Sequence, residues 1–228
     1  MIASGGRARH WHRRAAAFAA TLALPALFVT PVFSDVDGRL AGRLDHETAA
    51  AVGVLVDQAR ERGLPTEPLV ARALEGASRQ ATGPRIVAAV RTLAEGLGAA
   101  RDSLGAASTE AELVAGAAAL SSGVPGETLA SLRRVRRGAT LVIPLVVLAD
   151  LATRRVPPEM ASAAVIAAFR ARVRDRDLMR LREQIGRDIQ AGASPSGATM
   201  LRTRSLIGSF QPPSPAGSAP GIERKPRP

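Results

Sequence analysis

The sequence predicts an all-α fold: about eight short helices in stacked hairpins, arranged as a short solenoid or an irregular bundle. Three observations carry this expectation. Apolar residues recur at the spacing of one helix face. A junction built around an apolar residue, Pro and Glu occurs three times. No segment sustains the period-two alternation of a strand, and β-branched residues are outnumbered by Ala, Leu and Arg.

The pattern is preceded by a segment of another kind. The stretch MIASGGRARHWHRR is basic, and Ala15–Phe33 then runs for 19 residues without a charge. Val32 and Ser34 stand three and one residues before the next position, Asp35. A charged start, an apolar run and a small-residue cleavage site in that order are those of a secretory signal peptide. Residues 1–34 are therefore expected to export the chain to the periplasm or beyond, with cleavage near Ser34–Asp35. The competing expectation is an uncleaved anchor. Nineteen apolar residues just reach across a bilayer, although Pro25 and Pro31 weaken a long helix. His10, Trp11 and His12 belong to this leader and are not read as a site.

Residues 35–191 carry the helical pattern. Val52, Leu55, Val56 and Ala59 begin it. Ile86, Val87, Val90, Leu93, Ala94 and Leu97 make a longer stripe, followed by Leu113, Val114, Ala117 and Leu120. Leu178, Leu181, Ile185 and Ile189 close it. The apolar run Ala139–Ala149 is too short to span a membrane and reads as a buried helix. Phe169 is the only aromatic in this body, so the core must be Leu, Val, Ile and Ala.

The junctions punctuate the helices. They read Gly63-Leu-Pro65-Thr-Glu67, Gly123-Val-Pro125-Gly-Glu127 and Arg155-Val-Pro157-Pro-Glu159. Gly readily takes the left-handed conformation that ends a helix, and the apolar residue after it packs back on the last turn. Pro opens the next helix, where its missing N–H costs nothing. Glu then lies in the first turn, favoured by the positive end of the helix. Weaker starts stand at Gly83-Pro84, at Ser108-Thr109-Glu110 and at Asp175 or Asp177. Helix starts are thus expected near residues 48, 65, 84, 109, 125, 141, 157 and 176. Two helices make a unit of roughly 33 residues, a length typical of helical repeats.

From 192 to 228 Gly, Ala, Ser, Pro and Arg dominate, and a disordered tail is expected. Within it, Met200–Phe210 mixes apolar residues with Arg202 and Arg204 and reads as a loose segment or a short helix on a membrane or partner.

Charge and composition limit the chemistry. The 228 residues carry 31 basic and 20 acidic side chains, a net charge of +11. The leader holds +4, the body +3 and the tail +4. This is no nucleic-acid signature: the body is nearly balanced and lacks Tyr and Trp for stacking on bases. Absence of Cys removes disulfides, thiolate catalysis and cysteine-ligated metals. His46 is the only histidine after the leader and stands just before the first helix, a capping or solvent position. No Gly-x-Ser-x-Gly elbow or phosphate-binding loop occurs. The pairs Glu110/Glu112 and Asp175/Asp177 lie two apart, so their members do not face each other on a helix. No catalytic, cofactor or metal site is expected. One basic cluster, Arg133, Arg134, Arg136 and Arg137, is a candidate contact for an anionic surface or membrane, or else complements a helix C-terminus.

The repeated turns, with the runs Arg85–Arg91 and Pro144–Asp150, resemble those of a loose group of exported α-helical proteins of GC-rich bacteria. The similarity covers roughly 48–190 and implies neither activity nor site residues. The functional expectation is a non-enzymatic, exported helical-repeat protein that binds a protein or peptide partner in the cell envelope. One alternative is a membrane-surface protein held by its N-terminal anchor or basic tail. The other is a hydrolase working through Glu67, Glu127 or Glu159.

Overall fold

The computed structural model describes residues 35–210; the expected leader at 1–34 and the end of the expected tail, 211–228, lie outside the described residues. Ten helices and no β-strand occur among the described residues. They are α1 (Asp35–Leu40), α2 (His46–Glu61), α3 (Glu67–Ser78), α4 (Gly83–Leu104) and α5 (Glu110–Ser121), then α6 (Gly126–Val135), α7 (Val142–Thr153), α8 (Pro158–Arg170), α9 (Asp175–Gln190) and α10 (Pro195–Phe210). The eight starts read from the sequence each fall within two residues of the starts of α2 to α9.

Six of these helices end in the same turn. At Gly63, Gly123 and Arg155 the backbone takes a positive φ, and Gln80, Arg172 and Gly192 repeat it. The next N–H reaches back five residues: Leu64 to the Ala59 carbonyl, Val124 to Ala119 and Val156 to Leu151, at 2.8–3.1 Å. Ala81, Val173 and Ala193 do likewise with Gly76, Ala168 and Asp188. Each turn satisfies carbonyls that the helix end leaves free. The apolar residue after the turn is buried at Leu64, Val124, Val156 and Val173.

The prolines sit slightly earlier than expected. Pro125 and Pro157 are the capping residues before α6 and α8, with φ of −63° and −53°, and Pro65 precedes the cap of α3. Their fixed φ suits the extended backbone that leads into a helix. Glu67, Glu127 and Glu159 lie in first turns, as expected.

Alternate helices stack. The even-numbered helices form a continuous series, α2 on α4, α4 on α6, α6 on α8 and α8 on α10. Among the odd-numbered ones α1 packs on α3, α5 on α7 and α7 on α9, but no comparable contact joins α3 to α5. The 22-residue α4 packs on both α3 and α5 instead.

The core has two parts. One gathers Leu40, Val52, Val56, Leu69, Val90 and Leu97; the other gathers Leu129, Leu145, Leu148, Leu151, Val165 and Leu181. Helix α5 joins them. Its Leu113 and Ala117 belong to the first part, its Ala115 and Ala119 to the second. Gly116 makes this possible: a Cβ there would stand 3.0 Å from both Ala100 Cβ and Leu104 Cδ1.

The boundary at 191 is corrected. Pro195–Phe210 form α10, packed on α8 and α9. Ala198 and Thr199 are buried, and Arg202 donates two hydrogen bonds to Asp188 at 2.6 and 2.8 Å. No described helix, α7 included, is long and apolar enough to cross a membrane.

Candidate functional site

Where α3 and α5 make no extensive contact, α4 lies open between them. The resulting trough has a volume of about 850 Å³. Ala89, Leu93, Gly96 and Ala99 of α4 make its floor, Pro68 and Ala71 of α3 one wall, and Val114 and Ala118 of α5 the other. These floor residues recur at i, i+4, i+7 and i+10, one stripe about 15 Å long at 1.5 Å per residue. The small side chains let α4 and α5 approach closely: a Cβ on Gly96 would be 3.4 Å from that of Ala117.

Val114 marks the site in a second way. Helical periodicity places it with Leu113, Ala117 and Leu120 on a core face. Leu113 and Ala117 are buried, yet Val114 is 37% exposed. Its exposed side lines the trough.

The rim is charged along α3. Arg72 donates to Glu75 at 3.0 Å, and Arg79 meets the same carboxylate at 2.8 Å. The hydrogen bond from Arg72, helped by the charge of Arg79, holds the Glu75 carboxyl below the ordinary glutamate range. Glu95 of α4 also lines the trough, is exposed, and has no ion-pair partner among the described residues.

The expected basic cluster is divided by the fold. Arg136 donates to both oxygens of Asp175 at 2.6 and 3.0 Å and lies 5.1 Å from the centre of the Phe169 ring. Arg133 faces Glu112 at 2.9 Å and donates to the Ala139 carbonyl. Arg134 bonds Ser131, and Arg137 is exposed. Two of the four are thus committed to internal carboxylates that lie far away in the sequence, and Arg134 and Arg137 remain as surface charge.

The carboxylate pairs separate as well. Glu110 is exposed, while Glu112 is 3% exposed. Glu112 closes a capping box with Thr109 and accepts a 2.8 Å hydrogen bond from the Leu141 N–H. Burial pushes its carboxyl up, but the N–H groups of Thr109 and Leu141 and the Arg133 guanidinium together hold it below the ordinary value. Asp175 holds Arg136, whereas Asp177 bonds Arg180. Of the junction acids, Glu67 accepts two hydrogen bonds from Arg39, and Glu127 and Glu159 are exposed in the first turns of α6 and α8. His46 is exposed at the start of α2, where the cap is Asp45, which accepts from the Thr48 N–H. Among the described residues no three His, Asp or Glu side chains gather as metal ligands.

Comparison with protein-family models, with curated proteins and with solved structures finds no match for this chain.

Proposed function

We propose that this is an exported helical-repeat protein of the cell envelope that holds a helix of a protein or peptide partner in the trough over α4. The observation that carries the reading is the interrupted row: α5, α7 and α9 stack in turn, and the position between α3 and α5 is open. A partner helix, about 10–12 Å across, would lie on α4 with α3 on one side and α5 on the other. Its contact face needs small or medium apolar residues against Ala89, Gly96 and Ala99, and a basic side chain suits Glu95. Export rests on the leader sequence, with its basic start, uncharged run and small-residue site. The reading is of a binding protein rather than an enzyme because the buried carboxylate of Glu112 already accepts from two N–H groups and pairs with Arg133, and Glu67 serves Arg39.

The test uses the full chain with a photo-crosslinking benzoylphenylalanine at Ala99, in the trough, or at Val54, which is 57% exposed on α2. The Ala99 probe is expected to link one envelope protein or peptide, and Ala118→Trp, which fills the trough, to weaken that association at least tenfold. Because Ala118 is exposed, the variant should keep its stability within about 0.5 kcal/mol. Identical products from Ala99 and Val54, or a product indifferent to Ala118→Trp, would remove the trough from consideration.

A further inference from the structure

A second groove lies between α8 and α10, away from the trough, with a volume of about 510 Å³. Its lining is apolar and adaptable: Met160, Ala163 and Ala167 on α8 face Met200 and Ile207 on α10. Two methionines give a wall that reshapes easily around a guest. Arg204 is the one charged residue that lines it.

The two arginines of α10 differ in their use. Arg202 is tied by both oxygens of Asp188, which fastens α10 to α9. Arg204 is exposed at the groove and has no ion-pair or hydrogen-bond partner among the described residues. No carboxylate lines the groove to neutralise it. An apolar slot with a single free guanidinium at its edge is complementary to an apolar chain with an anionic head.

Size separates a small guest from a protein. The α10 wall runs from Thr199 to Gly208, about 14 Å at the helical rise per residue. A strip of that length and one helix width covers on the order of 150 Å². A stable protein interface buries about 800 Å² on each partner. An extended aliphatic chain advances about 1.2 Å per bond, so about twelve carbons match the wall. The volume also falls in the range of small-molecule sites.

We propose that the groove between α8 and α10 binds a long-chain carboxylic acid, with its chain between Met160, Ala163, Ala167, Met200 and Ile207 and its carboxylate on Arg204. The chain contributes affinity through burial and the head fixes its direction. This site stands independently of the partner trough, since the two share no helix.

The probe is dodecanoate, titrated into the full chain below its micellar concentration and followed by calorimetry, with dodecanol as the uncharged comparison. One equivalent is expected to bind saturably. Dodecanol, and dodecanoate with Arg204→Gln, should bind about tenfold more weakly. Ala163→Trp, at an exposed groove position, should abolish binding while circular dichroism and melting stay unchanged. Absence of saturable binding would overturn the proposal, as would equal affinity for dodecanol and dodecanoate. So would dodecanoate binding that both variants leave intact. Failure to bind dodecanoate together with Ala163→Trp-sensitive binding of an acidic amphipathic helical peptide would also overturn it and give the groove to a protein partner.

Discussion

Replacing Glu112 with Ala is expected to destabilise the protein by about 3 kcal/mol, the larger part of it from groups left without a partner. The carboxylate accepts from the Thr109 N–H at the head of α5 and from the Leu141 N–H at the head of α7, and it faces Arg133 at the end of α6. Leu141 is fully buried, so its N–H would have no water to turn to. An orphaned buried donor costs about 1–3 kcal/mol and a lost cap about 1. The charge contact is discounted because Arg133 remains about a quarter exposed. For an ordered region of this size the melting temperature should fall by about 6–12 °C. Glu110→Ala, at an exposed neighbour, should change it by less than about 2 °C.

The same residue gives a pH dependence. Its carboxyl is lower in the folded state than the unfolded glutamate value of about 4.3. A group lowered by folding contributes stability above its unfolded value and loses it as pH falls through the folded one. Wild-type stability should therefore fall more steeply than that of Glu112→Ala below about pH 4. Melting curves from pH 7 down to pH 3 check both sign and size.

The second large effect is expected at Leu148. Helix α7 is buried at Leu145, Val147, Leu148 and Leu151 and packs on α5, α8 and α9. Removing a fully buried leucine loses its transfer energy and leaves a cavity that rigid neighbours cannot fill. Leu148→Ala should cost about 2–5 kcal/mol. Denaturant titration should show this as a lower midpoint with an unchanged slope. Val54→Ala, more than half exposed on α2, should stay within about 0.5 kcal/mol of wild type.

Much of the fold was legible because its signals are local. A positive-φ turn, an apolar residue packing back and an acid in the next first turn all lie within seven residues, as at Gly63–Leu69. The other turns were harder to read. Gln80 and Arg172 take the left-handed conformation without glycine, so a pattern anchored on Gly passes them over. The signals that remained were the helix starts that follow, at Gly83-Pro84 and at Asp175 or Asp177. Helix α10 was hidden for another reason. Gly197, Gly208 and several Ser and Thr weaken its pattern, and it is held by contacts to α8 and by Arg202 on Asp188, 14 residues away.

The candidate site was legible only in outline. Val114 belongs to an apolar stripe, and nothing near it in the chain says that its neighbour is missing. That follows from α3 and α5 both packing on the long α4, a matter of stacking rather than spacing. Arg133 and Arg136 read as an anionic-surface contact or a complement to a helix end because their partners, Glu112 and Asp175, lie 21 and 39 positions away in opposite directions along the chain.

The repeated turn is what makes the stack, and hydrogen exchange of the native protein tests it most directly. The amides of Leu64, Ala81, Val124, Val156, Val173 and Ala193 each donate to a carbonyl five residues back. Though all six lie outside helices, they should exchange about as slowly as the helical amides that precede them, on the order of a thousandfold slower than an unfolded chain. Exchange at these six positions as fast as at Ala106 and Ala107, in the loop between α4 and α5, would contradict the repeated turn.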